Sequence, residues 1–261
     1  MALCAAPAVA SQSVQLAATF VPKRLGGDTG VGFEFTITAQ GQLVPSPLIG
    51  VELRYPQNLG IAISGLGLET CDPQTLELEG AAGCPANSRM GGGEALAEIP
   101  IGGTIVREPA TVEIVRGPTK EGHLALLFYA DGESPVIAQL VLPGLLLPAS
   151  APFGGSIGID VPLVPGFPEG PNVSVVRLKS TLGPQNLTYY ERVRGRVVPY
   201  KPRGIVLPRI CPRGGFRFLA TFRFLDGSSA TAATGVPCPA RPLSEARRSA
   251  AARHRRQPPG R

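Results

Sequence analysis

Apolar and polar residues alternate along much of this chain with the period of a β-strand. Over residues 31–39, Val31, Phe33, Phe35, Ile37 and Ala39 fall on one face. Gly32, Glu34, Thr36 and Thr38 fall on the other, the pattern of a half-buried antiparallel strand. Val14, Leu16, Ala18 and Phe20 share a face in the same way, as do Val51, Leu53 and Tyr55. Further strands are expected at residues 95–99, 110–115, 124–130, 135–142 and 157–161, and again at 173–182, 193–198, 216–225 and 229–236. In 216–225 one face is Phe216, Phe218, Ala220, Phe222 and Phe224, while the other carries Arg217 and Arg223. Residues 124–128 and 136–142 are apolar on both faces and belong near the middle of a sheet. Asp131-Gly132 and Asp226-Gly227 read as hairpin turns, with glycine accepting a positive φ. About a dozen short strands at this spacing predict an all-β fold, an antiparallel β-sandwich built as one large or two small sandwiches.

Helical signal is scarce. Asp72-Pro73 has the form of an N-cap followed by a first-turn proline, and Gly80 supplies a stop, which allows a short helix between them. The closing stretch SEARRSAAARHRR holds helix formers but no apolar face and is expected to be disordered. The chain contains 33 Gly and 28 Pro among 261 residues, close to a low-complexity level. Its apolar fraction of 43% and clean alternation assign those residues to tight turns instead.

Five cysteines are present. The start, MALCAAPAVAS, ends in the small-x-small pattern Ala8-Val9-Ala10, so residues 1–10 read as a signal-peptide remnant whose cleavage would remove Cys4. Cys71, Cys84, Cys211 and Cys238 then remain, an even set that reads as two disulfides in an exported chain. Four cysteines allow three pairings, and the local one, Cys71–Cys84 with Cys211–Cys238, is the simplest. The zinc spacing C-x₂₋₄-C and the redox spacing C-x-x-C are both missing. No apolar window is long enough for a transmembrane helix.

Charge is segregated. Residues 1–172 carry 7 basic and 16 acidic side chains, residues 173–239 carry 11 and 2, and residues 240–261 carry 7 and 1. The formal net charge of +6 is therefore a property of the tail, not evidence for a basic body. The shift coincides with the proline-rich stretch PLVPGFPEGPN. It divides the chain into an acidic β-rich part (11–170), a basic β-rich part (171–239) and an Arg-rich tail (240–261). The proline-rich stretch is either a linker between domains or a long loop inside one.

Candidate chemistry is thin. GGSIG (154–158) matches the nucleophile elbow G-x-S-x-G, but an alternating strand follows it and no histidine is suitably placed. Glu52, Asp72, Glu94, Glu98, Asp131, Asp160 and Asp226 are available as carboxylates, yet each also fits a solvated strand face or a turn. No calcium loop is present, and no cofactor is implied. The most suggestive feature is basic: Arg192, Arg194 and Arg196 alternate along one expected strand, and Arg177 and Lys179 along another. Together they would form a surface for an anionic glycan or cell-wall polymer. A single Arg-Gly-Gly in PRGGF is too little to imply nucleic acid.

LGLETCDPQTLELEGAAGCPANSRMGGGEA resembles a segment of exported β-rich proteins of high-GC actinobacteria, and PRGGFRFLATFRFLDGSSATAATGVPCP resembles their closing hairpin. The resemblance implies export, β structure and paired cysteines, and carries no activity with it. The expected protein is therefore extracellular or at the cell surface, non-enzymatic, and structural or binding in role. The alternatives are a secreted hydrolase acting on polysaccharide or ester, and a cell-wall anion-binding module.

Overall fold

The computed structural model describes residues 12–60, 65–134, 137–166 and 170–239. The expected signal remnant and Arg-rich tail lie outside the described residues. The strands are β1 (Gln12–Val21), β2 (Asp28–Ala39), β3 (Leu48–Pro56), β4 (Arg89–Ile101), β5 (Thr104–Arg116), β6 (Ala125–Gly132) and β7 (Ala138–Pro148). They continue as β8 (Phe153–Asp160), β9 (Ser174–Leu182), β10 (Tyr189–Val193), β11 (Arg196–Tyr200), β12 (Ile205–Val206), β13 (Phe216–Phe224) and β14 (Ser229–Val236).

The alternating segments form β1, β2, β3 and β13 much as their periodicity implies. Each turns its apolar set the same way: Leu16 lies opposite Phe35, and Ala220 lies opposite both Leu53 and Ala232. The long-range arrangement departs from the expected sandwich. A single 12-stranded sheet runs β1-β2-β9-β4-β5-β6-β7-β8-β3-β13-β14, with β12 pairing β2, and curls until β1 and β14 lie side by side. Every neighbour on that path is antiparallel and the path holds an odd number of strands, so the two end strands run parallel. Side chains bridge this seam: Gln12 Nε2 donates to Asp226 Oδ2 (3.1 Å), and Ser228 Oγ donates to Gln12 Oε1 (2.8 Å). The result is a nearly closed barrel rather than two facing sheets. The compositional break near residue 171 is not a break in the sheet, because β9 inserts between β2 and β4.

One end of the barrel is capped. The chain between β9 and β13 crosses it, and Leu207 is tied to the β1–β2 turn by its N–H to Gly27 and its C=O to Gly26, both at 3.0 Å. Tyr189, Ile205, Leu207, Phe20, Phe216 and Phe218 are buried there. The phenol of Tyr189, a fully buried residue, accepts from Gly67 N–H and donates to Arg89 C=O, both at 2.6 Å.

Both disulfides form with the local pairing, Cys71–Cys84 and Cys211–Cys238. Between the first pair, α1 (Pro73–Glu79) is capped by Asp72, whose carboxylate accepts from Thr75 N–H at 3.1 Å, and it ends at Gly80. This stapled loop lies on the outside of the wall, where Leu76 and both cysteines pack on Val115, Leu127, Tyr129 and Val141. That contact explains why the sequence of β6 and β7 is apolar on both faces: one face looks into the barrel and the other is covered by the loop.

Three local expectations are corrected. The 124–130 and 135–142 segments do not turn at Asp131-Gly132, because both residues stay in β6, opposite Gln139 and Ala138. The last hairpin is not closed by Asp226-Gly227 alone. Phe224 N–H donates to Ser228 C=O, which gives a three-residue loop with Gly227 in the left-handed region (φ 81°). Finally, 193–198 is not one strand but the tip of a separate β10–β11 ribbon. The run Gly91-Gly92-Gly93 lies inside β4. A Cβ at Gly91 or Gly93 would run into the Thr181 or Lys179 carbonyl of β9, so close approach of the two backbones demands glycine.

Replacing Cys71 and Cys84 by serine is expected to lower unfolding free energy by about 3 kcal/mol, read from urea midpoints. Tyr189→Phe leaves the Gly67 N–H and Arg89 C=O unpaired in the cap and is expected to cost about 1–3 kcal/mol. Burial raises the Tyr189 pKa, so the folded state holds that proton more tightly than the unfolded chain. The contribution is complete below about pH 10 and fades as pH rises through the folded value. The Tyr189→Phe chain should therefore show a flatter alkaline limb in melting temperature against pH.

Candidate ligand-binding cavity

About eight strands make a barrel that inward side chains can just fill. This wall is wider, and its interior contains a cavity of about 220 Å³. It is lined from nearly every side of the barrel, by Phe33 of β2, Leu178 of β9, Val112 of β5, Phe128 of β6, Leu142 of β7 and Ile159 of β8. Phe33, Phe35, Val51 and Leu53 border it on the β2–β3 side, and beyond Phe35 the residues Ala220, Phe222 and Phe224 of β13 pack into a dense core. Several inward-facing residues, Leu178, Phe128 and Leu142 among them, are only half-buried, because the space beside them is not filled.

Among the described residues the lining is apolar apart from Tyr55 and Ser180. Burial raises the Tyr55 pKa, so its phenol stays neutral across the ordinary pH range. An apolar cavity of ~150 Å³ already stays dry and takes up a benzene-sized guest. The present one is larger, and water entering it would meet few partners.

The outer wall has the opposite character. Arg177 Nη2 pairs with Glu34 Oε1 (2.9 Å), Arg54 with Glu52 (2.9 Å) and Arg223 with Asp160 (2.6 Å). Polar outside and apolar inside is the reverse of a transmembrane barrel. Among the described residues no helix is long and apolar enough to cross a membrane.

The basic residues singled out in the sequence fall into two groups on different sheets. Arg177 and Lys179 face outward from β9. Arg177 is held by Glu34, and Lys179 has Glu34 and Glu94 as its cross-strand neighbours. Arg192, Arg194 and Arg196 sit around the tip of the exposed ribbon, with Arg194-Gly195 at its turn. Among the described residues none of these three makes an ion pair. Ser156 of GGSIG is buried within β8, between Arg54 and Leu147 of the neighbouring strands, so the motif is strand and not elbow. The carboxylates are dispersed: Glu52, Glu98 and Asp160 are in ion pairs, Asp72 caps α1, Asp131 accepts from Gln139, Asp226 organises the last turn, and Glu94 faces β9. Among the described residues no group of three metal-ligating side chains comes together.

The cavity is not legible in the sequence. The inward residues were legible one strand at a time, but whether opposite faces meet is decided by barrel closure. Added bulk should report the difference. Ala130→Leu, facing the cavity, is expected to leave the urea midpoint unchanged or raised. Ala220→Leu, in the dense core, is expected to cost about 1–3 kcal/mol.

A scan of protein-family models and searches of curated proteins and of solved structures each give no match.

Proposed function

We propose that this protein is an exported or cell-surface binding protein that carries an apolar ligand inside its barrel. The observation that carries the reading is the cavity, whose walls offer extensive apolar contact and two polar side chains. Export is supported by two disulfides, which persist in oxidising compartments. Titration with N-phenyl-1-naphthylamine, which brightens in apolar surroundings, tests the function. Saturable one-to-one binding is expected, weakened by about tenfold or more in Ala130→Phe, a loss of about 1.4 kcal/mol. Unsaturable fluorescence, or equal binding by that variant, rejects the cavity as the site.

A second reading, an anion-binding role at the cell wall, is favoured by one observation: the exposed ribbon tip carries Arg192, Arg194 and Arg196 without ion-pair partners among the described residues. Reversing all three to glutamate is expected to lower clearly the salt concentration that elutes the chain from heparin-agarose and to leave the melting temperature unchanged. An unchanged elution salt removes the ribbon from consideration.

A further inference from the structure

β7 loses one of its two neighbours halfway along. It pairs with β6 along most of its length, from Ala125 opposite Leu145 to Gly132 opposite Ala138. It pairs with β8 only from Pro148 opposite Gly155 to Gly144 opposite Ile159. The stretch 138–143 therefore has a strand on one side alone.

The hydrogen-bond phase explains the stop. Leu146 N–H donates to Leu124 C=O at 2.9 Å, so even-numbered residues of β7 bond to β6. Odd-numbered residues point their N–H and C=O toward β8. The next position required to donate in that direction after Leu145 is residue 143, and it is proline, which has no N–H. Beyond this point the chain of β8 stays with β3: Asp160 lies opposite Gly50, and Val161 N–H donates to Ile49 C=O at 3.0 Å. A slot is left between residues 138–143 of β7 and the end of β8.

The slot opens onto the cavity, since Leu140 and Leu142 on one side and Ile159 and Val161 on the other line both. Beside it, Ile137 is 84% exposed and Leu163 is 43% exposed. The far end of the barrel is closed by the Tyr189–Leu207 cap. We infer that the β7–β8 slot is the entry for a single-chain amphiphile, whose hydrocarbon chain enters the barrel and whose polar end stays at the lip. This inference rests on the cavity reading above. The polar end stays outside because, among the described residues, the interior lining offers it no polar side chains beyond Ser180 and Tyr55. At the lip it meets water and the Gln139–Asp131 and Arg223–Asp160 pairs. An elongated opening bounded by two strands suits an extended chain.

The test uses dansyl-undecanoic acid and stopped-flow fluorescence. Pro143→Val restores the missing donor opposite Asp160. It is expected to slow both association and dissociation by about tenfold with little change in Kd, as closing a gate does. Unchanged rates in the folded variant overturn the entry route but leave the cavity reading intact. Failure of the native chain to bind the probe overturns both. A second measurement needs no variant. By amide hydrogen exchange, Val141 N–H, directed into the slot, is expected to exchange about a hundredfold or more faster than Leu142 N–H, directed to β6. Equal protection of the two shows the slot to be closed and overturns the proposal.

Discussion

A β-barrel must reconcile the circumference of its wall with the reach of its side chains. Here the wall is wider than the inward residues span. The consequences are arranged around the interior. On the side of β2, β3 and β13, large residues meet: Phe35 and Phe222 stack edge to face at 5.0 Å. At one end the chain between β9 and β13 lies across the opening and fills it with Tyr189, Ile205 and Leu207. The space that these devices leave is an apolar cavity bordered by strands from β2 to β9 and by Phe218 of β13. Closure also requires that one strand junction be irregular, because an odd number of strands brings β1 and β14 together in parallel. That seam is held by Gln12, Asp226 and Ser228.

The charge segregation along the chain has a counterpart in space. The acidic first part and the basic second part are interleaved in one sheet, so Glu34 meets Arg177 and Asp160 meets Arg223. These exposed pairs contribute at most about 1 kcal/mol each. Their effect is on complementarity: a basic β9 fits between β2 and β4, which present Glu34 and Glu94 to it. The ribbon of β10 and β11 lies outside that arrangement, and among the described residues its arginines make no ion pair.

The stapled loop shows how an outer feature accounts for an inner one. Two-faced apolar strands are usually buried between layers. In β6 and β7 the inner layer is the cavity and the outer layer is a seven-residue helix held by Cys71–Cys84. Without that cover, Val115 and Leu127 would face water.

Much was legible in the sequence because it depends on neighbours in the chain. Periodicity gave the strands, Asp72-Pro73 gave the helix start, and cysteine spacing gave both disulfides. Errors arose where a local signal met a distant partner. Asp131-Gly132 has the composition of a turn but is held in β6 by Gln139 and Ala138, and residues 193–198 alternate like one strand but form the tip of the β10–β11 ribbon. The candidate site was not legible. An apolar strand face is the same string of residues whether it packs against another sheet or borders a void. The sequence by itself determined which residues turn inward, because alternation is a property of a single strand. Only the tertiary structure decided that those faces enclose a space and that Pro143 leaves a gap in its wall, because closure, register and cavity volume depend on all the strands at once.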